Sequence, residues 1–227
     1  MTEYVLQSGP LHTFESLYDP RSPGCRPVAD FPTIELAPRD PPRRGALAVL
    51  GRDPEPERRF LGEFLRPILG GRRAVFGMRD VHQGRAWLLA RKFQERRPSL
   101  MRYGISEDDL VLLELRDPGR DLALMAEFLP PEAGEMFLHL TSGTFDLFDL
   151  FWRRAALASG RPGEDRFRRD VASMAREAHL TLLRDPAGSF VLILNPRSAA
   201  PAEVEPRLLA AAKAAGFRIT MAPRLFE

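Results

Sequence analysis

Two short segments of the chain combine small residues with groups that could hold an anionic ligand. Gly51-Arg52-Asp53 follows the apolar run Ala46–Leu50, and Thr141-Ser142-Gly143-Thr144 follows Met136–Leu140. Small residues allow the backbone to approach a ligand, hydroxyl groups donate hydrogen bonds, and a helix that begins after the loop offers free N–H groups. The second segment is therefore a plausible binding loop for a phosphate group. Taken alone, it is better explained by Ser142 or Thr144 capping the helix that follows, and Asp53 is likewise a good N-cap.

The remaining reactive residue types form no recognised catalytic or metal-binding pattern. The four histidines are dispersed, and Cys25 is the single cysteine. The acid-x-Lys pattern of restriction-type nucleases is missing at Lys92 and Lys213, and no Walker, Gly-x-Ser-x-Gly or His-Glu-x-x-His motif occurs. The sequence therefore predicts no metal and no cofactor. Whether the chain is an enzyme stays open at this point, and any activity is expected to be metal-independent.

The segments that must position the two loops alternate between strand and helix patterns. Short apolar runs indicate strands, and apolar residues that repeat every three to four positions indicate helices. The predicted strands are Ala46–Leu50, Ala74–Phe76, Leu110–Leu115 and Met136–Leu140, and the predicted helices cover about 54–69, 83–97, 118–128 and 145–158. Because parallel strands need crossover connections, this order predicts an α/β fold with a Rossmann-like, mostly parallel sheet and helices on both faces. Ligands of such sheets bind outside the carboxyl ends of the strands, where both loops lie.

Three regions of the chain differ in composition. Residues 1–44 contain eight prolines and predict an extended N-terminal arm with a short strand at Thr33–Leu36. Residues 45–160 carry the Rossmann-like unit. Residues 161–227 predict an αββαβ extension, which is either a small subdomain or a completion of the first sheet. Its predicted elements are a helix at about 164–177, strands His179–Leu183 and Phe190–Leu194, helix Glu203–Ala215 and strand Phe217–Met221.

Charge is distributed unevenly along the chain. The net charge is +2 at pH 7, and lysines contribute only Lys92 and Lys213 to the 33 basic residues. Residues 39–102 hold 16 basic and 7 acidic residues, whereas residues 103–151 hold 2 and 11. Mutual neutralisation, within the fold or across a dimer, is the favoured explanation, and an anion site on the basic block is the alternative. Sequence-specific DNA binding is not expected.

Nothing in the sequence indicates export or a membrane span. No apolar run approaches the about 20 residues that a spanning helix needs. The first residues lack the basic start and apolar core of a signal peptide. A single cysteine suits a reducing compartment. The sequence therefore predicts a cytoplasmic protein with no membrane partner.

The two loops and their order along the chain resemble a known family. Gly51-Arg52-Asp53-Pro54-Glu55-Pro56, the strand–helix alternation and His139-Leu140-Thr141-Ser142-Gly143-Thr144 are similar to the CRISPR-associated Rossmann-fold (CARF) sensor domains, including the RtcR-type sensor domain. The resemblance covers about residues 45–158. It implies a homodimer that binds a cyclic oligoadenylate second messenger, or a related RNA-derived ligand, across the dimer. Some members of the family also open the ring slowly.

The resemblance also implies roles for individual residues. Gly51, Arg52 and Asp53 would line one edge of the ligand. The second loop would hold phosphates and riboses through Thr141, Ser142, Gly143 and Thr144. Many members carry a basic residue just after this loop, where this chain has Asp146. Because an acidic residue opposes a polyanion, positive charge has to come from elsewhere. The candidate sources are Arg52, Arg79 and Arg85.

Two other functions are compatible with the sequence. The first is a non-catalytic interaction module of a larger complex, whose contacts would be the Pro-rich arm and the unequal charge blocks. The second is a divergent methyltransferase-like enzyme, suggested by Phe190–Leu194 and the Asn195-Pro196 segment after it. The missing glycine-rich cofactor loop argues strongly against the second.

Overall fold

Strands from both ends of the chain belong to one sheet in the computed structural model. The structure describes residues 2–9, 32–40, 55–69, 74–79, 85–96, 101–105, 110–115, 117–128, 135–140, 178–184, 188–195 and 197–222. The described strands are β1 (Glu3–Gly9), β2 (Thr33–Pro38), β3 (Ala74–Arg79), β4 (Met101–Ile105), β5 (Leu110–Leu115), β6 (Glu135–Leu140), β7 (Leu180–Arg184), β8 (Phe190–Leu194) and β9 (Arg218–Met221). They lie in the order β4-β5-β3-β6-β7-β8-β2-β1-β9.

Antiparallel pairing dominates this sheet. Seven of the eight pairings between described strands are antiparallel, and the pairing of β1 with β9 is parallel. The prediction of a mostly parallel sheet is therefore wrong for these strands. The reason is that β3 inserts between β5 and β6, so two parallel strands that a helical crossover joins are not neighbours. The local sequence pattern indicates the crossover, but it does not specify which strands pair.

The described helices cover one face of the sheet. They are α1 (Glu55–Leu69), α2 (Arg85–Arg96), α3 (Pro118–Phe128) and α4 (Pro201–Ala214). Since α2 packs beside α3, α3 beside α1, and α1 beside α4, the four helices form one layer. Glu55 and Glu57 in the first turn of α1 and Pro118 at the start of α3 are typical of helix N-termini. The mixed α/β class is confirmed, whereas helices on the second face stay a prediction.

Between β3 and β6 the chain follows a β-α-β-β-α-β path. β3 leads through α2 to β4, β4 and β5 form an antiparallel pair, and β5 leads through α3 to β6. In the sheet these strands lie in the order β4-β5-β3-β6, which is the split β-α-β arrangement with one strand between the partners of each crossover. β7, β8, β2, β1 and β9 extend the unit beyond β6.

Alternate residues of the strands face the helices and form the core. These buried positions include Leu6, Ile34, Phe76, Leu113, Leu138, Leu182 and Leu192. The second face is also shielded at its centre, where Val75, Leu183 and Ile193 are buried. β7 and β8 are consequently buried on both sides, which explains why their sequences lack the alternation of a half-exposed strand.

An aromatic cluster joins α1 to strands from both ends of the chain. Tyr4 of β1 stacks on Phe217 with ring centroids 4.2 Å apart, and Phe60 of α1 lies 4.8 Å from Phe190 of β8. The end of α4 positions Phe217. Gly216 there has a φ of 94°, and the Phe217 N–H donates to the carbonyl of Ala212 at 3.0 Å. This is a Schellman motif, which requires a left-handed residue that glycine adopts without strain.

The sheet crosses both predicted region boundaries. β1 and β2 lie within residues 1–44, and β7, β8 and β9 lie within residues 161–227. β1 was not predicted, whereas the ββαβ order of the C-terminal elements is confirmed. The predicted strand at 46–50 and the predicted helices at 145–158 and 164–177 lie outside the described residues, and the division into three domains stays a prediction. Among the described residues, no helix is long and apolar enough to cross a membrane.

Candidate functional site

Three strands finish in line at one end of the sheet, the exit end, which is defined by the last residues of β5, β6 and β8. Leu115 of β5 and Leu140 of β6 both lie opposite Ala74, and Leu140 and Leu194 of β8 both lie opposite Leu180. One antiparallel strand separates each pair, so all three point the same way. At about 4.8 Å per strand, the ends of β5 and β8 each lie about 10 Å from the end of β6.

Backbone hydrogen bonds tie the end of β6 to the end of β8. The carbonyl of Leu140 accepts the N–H of His179 at 2.6 Å, and the carbonyl of His179 accepts the N–H of Asn195 at 3.2 Å. The side chain of Asn195 also donates to the carbonyl of Ala178 at 3.0 Å. These bonds hold Leu140, which precedes the predicted loop in sequence, close to the turn that follows β8.

The turn after β8 presents polar side chains to solvent. The Asn195 Oδ1 atom accepts the N–H of Arg197 at 3.1 Å, which is an Asx turn. The Ser198 hydroxyl donates to the carbonyl of His179 at 3.2 Å, and His179 is the residue whose N–H donates to Leu140. Arg197 and Ser198 are both exposed. The exposed Arg197 therefore belongs to a turn that hydrogen bonds through Asn195 and His179 link to Leu140, the last residue of β6.

The connection after β5 is built in a comparable way. Asp121 of α3 is fully buried, and its Oδ2 atom accepts the N–H of Asp117 at 3.0 Å, which caps the start of the helix. Arg120, in the first turn of α3, is exposed. Asp117 is exposed at the same end, as is Glu203 in the first turn of α4. The exit end thus carries charges of both signs around the β6 terminus.

The structure describes two of the nine predicted site residues, Arg79 and Arg85. Gly51, Arg52, Asp53, Thr141, Ser142, Gly143 and Thr144 lie outside the described residues. Arg79 is the last residue of β3 and lies opposite Glu135, the first residue of β6. It is therefore about 17 Å along the sheet from Leu140. Arg79 and Leu140 therefore lie at opposite ends of the β3–β6 pair, and the expectation that Arg79 supplies positive charge to the ligand stays a prediction. Arg85 begins α2, six residues after Arg79.

The first turn of α1 also lies away from the exit end. Glu57 contacts Arg184, whose partner in the sheet is Met136. Met136 precedes Leu140 by four residues, which separates the two positions by about 13 Å along β6. Residues 51–53 come shortly before this turn in sequence. Their approach to residues 141–144 across one ligand stays a prediction.

A buried ion pair was missed at the sequence level. The Nε and Nη2 atoms of Arg184 donate to Oε2 of Glu57 at 3.1 and 2.7 Å, and the Tyr4 hydroxyl donates to Oε1 at 3.3 Å. Both charged side chains are less than a tenth exposed. The signal in the sequence is that Arg184 shares strand parity with Leu180 and Leu182, which face the core. This cluster is shielded from solvent and links β1, α1 and β7.

The described part of the chain contains no group of three or more His, Cys, Asp or Glu side chains that could hold a metal ion. No protein-family model, curated protein or solved structure matches the chain. The functional argument therefore rests on its own residues, and the described residues offer two exposed arginines at the exit end, Arg120 and Arg197, with the exposed acids Asp117 and Glu203 at the same end.

Proposed function

We propose that the chain is a cytoplasmic receptor for a cyclic oligoadenylate or a related oligonucleotide signal, and that the ligand binds at the exit end. The observation that supports the proposal is the link from Leu140 through His179 to Asn195, which connects the turn after β8 to the residue that precedes Thr141 in sequence. The resemblance to CARF sensors supplies the ligand class, the homodimer and a slow ring-opening activity. The proposal requires that β5, β6 and β8 end at the same end of the sheet. It does not require that parallel strands be neighbours.

A thermal-shift screen with cyclic tri-, tetra- and hexa-adenylate tests this function. A ligand that binds only the folded state adds about 2.7 kcal/mol at a hundredfold excess over its Kd. Thr144→Ala and Ser142→Ala are expected to reduce the shift. Thr220→Ala is the matched control, because Thr220 lies in β9, at one edge of the sheet. Absence of a shift with every ring contradicts the proposal, and chromatography of the recovered nucleotide decides whether the ring is opened.

An interaction module is the second candidate, and two exposed apolar residues favour it. Met221 of β9 is 57% exposed and Leu88 of α2 is 62% exposed. β9 is also the last strand in the sheet order, so its outer side pairs with no described strand. Sheet edges of this kind accept an added strand from a partner. A co-purifying protein that is lost on Met221→Lys substitution, together with no adenylate shift, would favour this function.

A further inference from the structure

We infer that Arg120 and Arg197 are the cations that bind the phosphates of the ligand at the exit end. The inference rests on the proposed function and deepens it, because it names residues that the sequence motifs do not contain. It also narrows the ligand to one that carries several phosphates along its length.

The two arginines occupy equivalent places on either side of β6. Arg120 lies in the first turn of the helix that follows β5, and Arg197 lies in the turn that follows β8. The ends of β5 and β8 are four strands apart in the sheet, with β6 midway. At about 4.8 Å per strand, this places the two strand ends about 19 Å apart. A separation of this size suits a ligand that carries several phosphates and lies across the end of β6.

Local hydrogen bonds hold both residues near β6. The backbone of Arg197 is fixed by Asn195, which is bonded in turn to His179 and Ala178. The backbone that precedes Arg120 is fixed by the bond from Asp117 to the buried Asp121. Preorganised positions reduce the entropy that a binding residue loses, and the planar guanidinium group forms paired hydrogen bonds with phosphate oxygens.

Two acidic residues at the same end distinguish phosphate binding by the arginines from simple charge balance. Asp117 and Glu203 are exposed near Arg120 and Arg197 respectively, and each weakens the local positive potential. If the arginines bind phosphate, neutralising either acid should strengthen binding. If the arginines only balance these acids, neutralising an acid should leave binding unchanged.

Fluorescence anisotropy of the full chain with labelled linear tetra-adenylate and with cyclic tetra-adenylate tests the inference. Arg120→Gln and Arg197→Gln should each weaken binding about tenfold, consistent with a charged hydrogen bond. Each should also reduce the slope of log affinity against log salt by about 0.7. Arg207→Gln, which removes an exposed arginine farther along α4, is the matched control and should bind as the wild type does. Asp117→Asn should bind more tightly.

The outcomes separate the inference from the function beneath it. If the wild-type protein binds neither nucleotide, the proposed function fails and the inference fails with it. If the wild type binds but both arginine variants match Arg207→Gln in affinity and salt slope, the receptor stands and the assignment of Arg120 and Arg197 is overturned. Circular dichroism of each variant confirms that the fold is retained, as expected for exposed side chains.

Discussion

Breaking the buried ion pair between Glu57 and Arg184 should destabilise the protein more than removing the whole pair. In Glu57→Leu the Arg184 guanidinium keeps its charge at a position only 4% exposed and loses the carboxylate that accepts both its Nε and Nη2 hydrogens. Leaving one buried charge without its partner costs about 3–5 kcal/mol. Arg184→Met removes the cation from the buried Glu57 carboxylate and should cost a similar amount. For a chain of this length, such a loss lowers Tm by about 6–20 °C.

The double variant Glu57→Leu/Arg184→Met removes both charges and fills the space with apolar atoms. Replacing a buried pair in this way is often neutral or stabilises by about 1–4 kcal/mol. Urea denaturation followed by tryptophan fluorescence and circular dichroism measures all three variants. Tyr4→Phe is the control for the hydroxyl that donates to Glu57, and it should cost about 1 kcal/mol. If the double variant is as unstable as the two single losses added together, the residues are not coupled and the reasoning is refuted.

Two further substitutions test helix ends by the same denaturation assay. Gly216→Ala should cost about 1–2 kcal/mol, since φ at this residue is 94° and the cost arises from backbone strain, with no heavy atom within 4 Å of the added Cβ. Gly62→Ala is the control, and it should raise the free energy of unfolding by about 0.5–1 kcal/mol, because alanine is favoured over glycine in a helix interior. The added Cβ would lie at an ordinary 3.7 Å from Ala123. Asp121→Ala should cost about 0.5–2 kcal/mol by leaving the Asp117 N–H without its acceptor, and a variant as stable as the wild type would contradict the capping role.

Most element types were predictable from the sequence, but β1, β4 and the pairing of the strands were not. Leu110–Leu115 and Phe190–Leu194 were predicted as strands and are confirmed, because a short apolar run bounded by turn residues carries that information locally. Pairing depends on long-range packing. β1 illustrates this. Glu3–Gly9 belongs to a proline-rich region whose local pattern does not indicate a strand, and it forms one by pairing with β2 and β9. The parallel sheet was predicted from the helical crossovers alone. The sequence pattern does not show that another strand lies between the two strands that each crossover joins.

The candidate site was predictable only in part for the same reason. The end of β6 at Leu140, immediately before Thr141, is confirmed as the end of a strand. Arg197 was not identified, because Asn195-Pro196-Arg197-Ser198 is typical of an ordinary turn and is 53 residues from Thr144 in the sequence. Only the register of β6, β7 and β8 brings this turn beside Leu140. Antiparallel pairing places Arg79 at the opposite end of the sheet from Leu140, and its role in ligand binding stays a prediction.

The parallel pairing of β1 with β9 has a consequence for synthesis on the ribosome. β1 emerges long before its partner at Arg218–Met221, and β2 cannot pair on both of its sides until β8 has emerged. The β-α-β-β-α-β unit between β3 and β6 can pair as it leaves the tunnel, because its contacts are close in sequence. Until the C-terminal strands arrive, the nascent chain displays unpaired strand edges, which favour aggregation. Chains that terminate early should therefore depend more on chaperones than the full-length protein does.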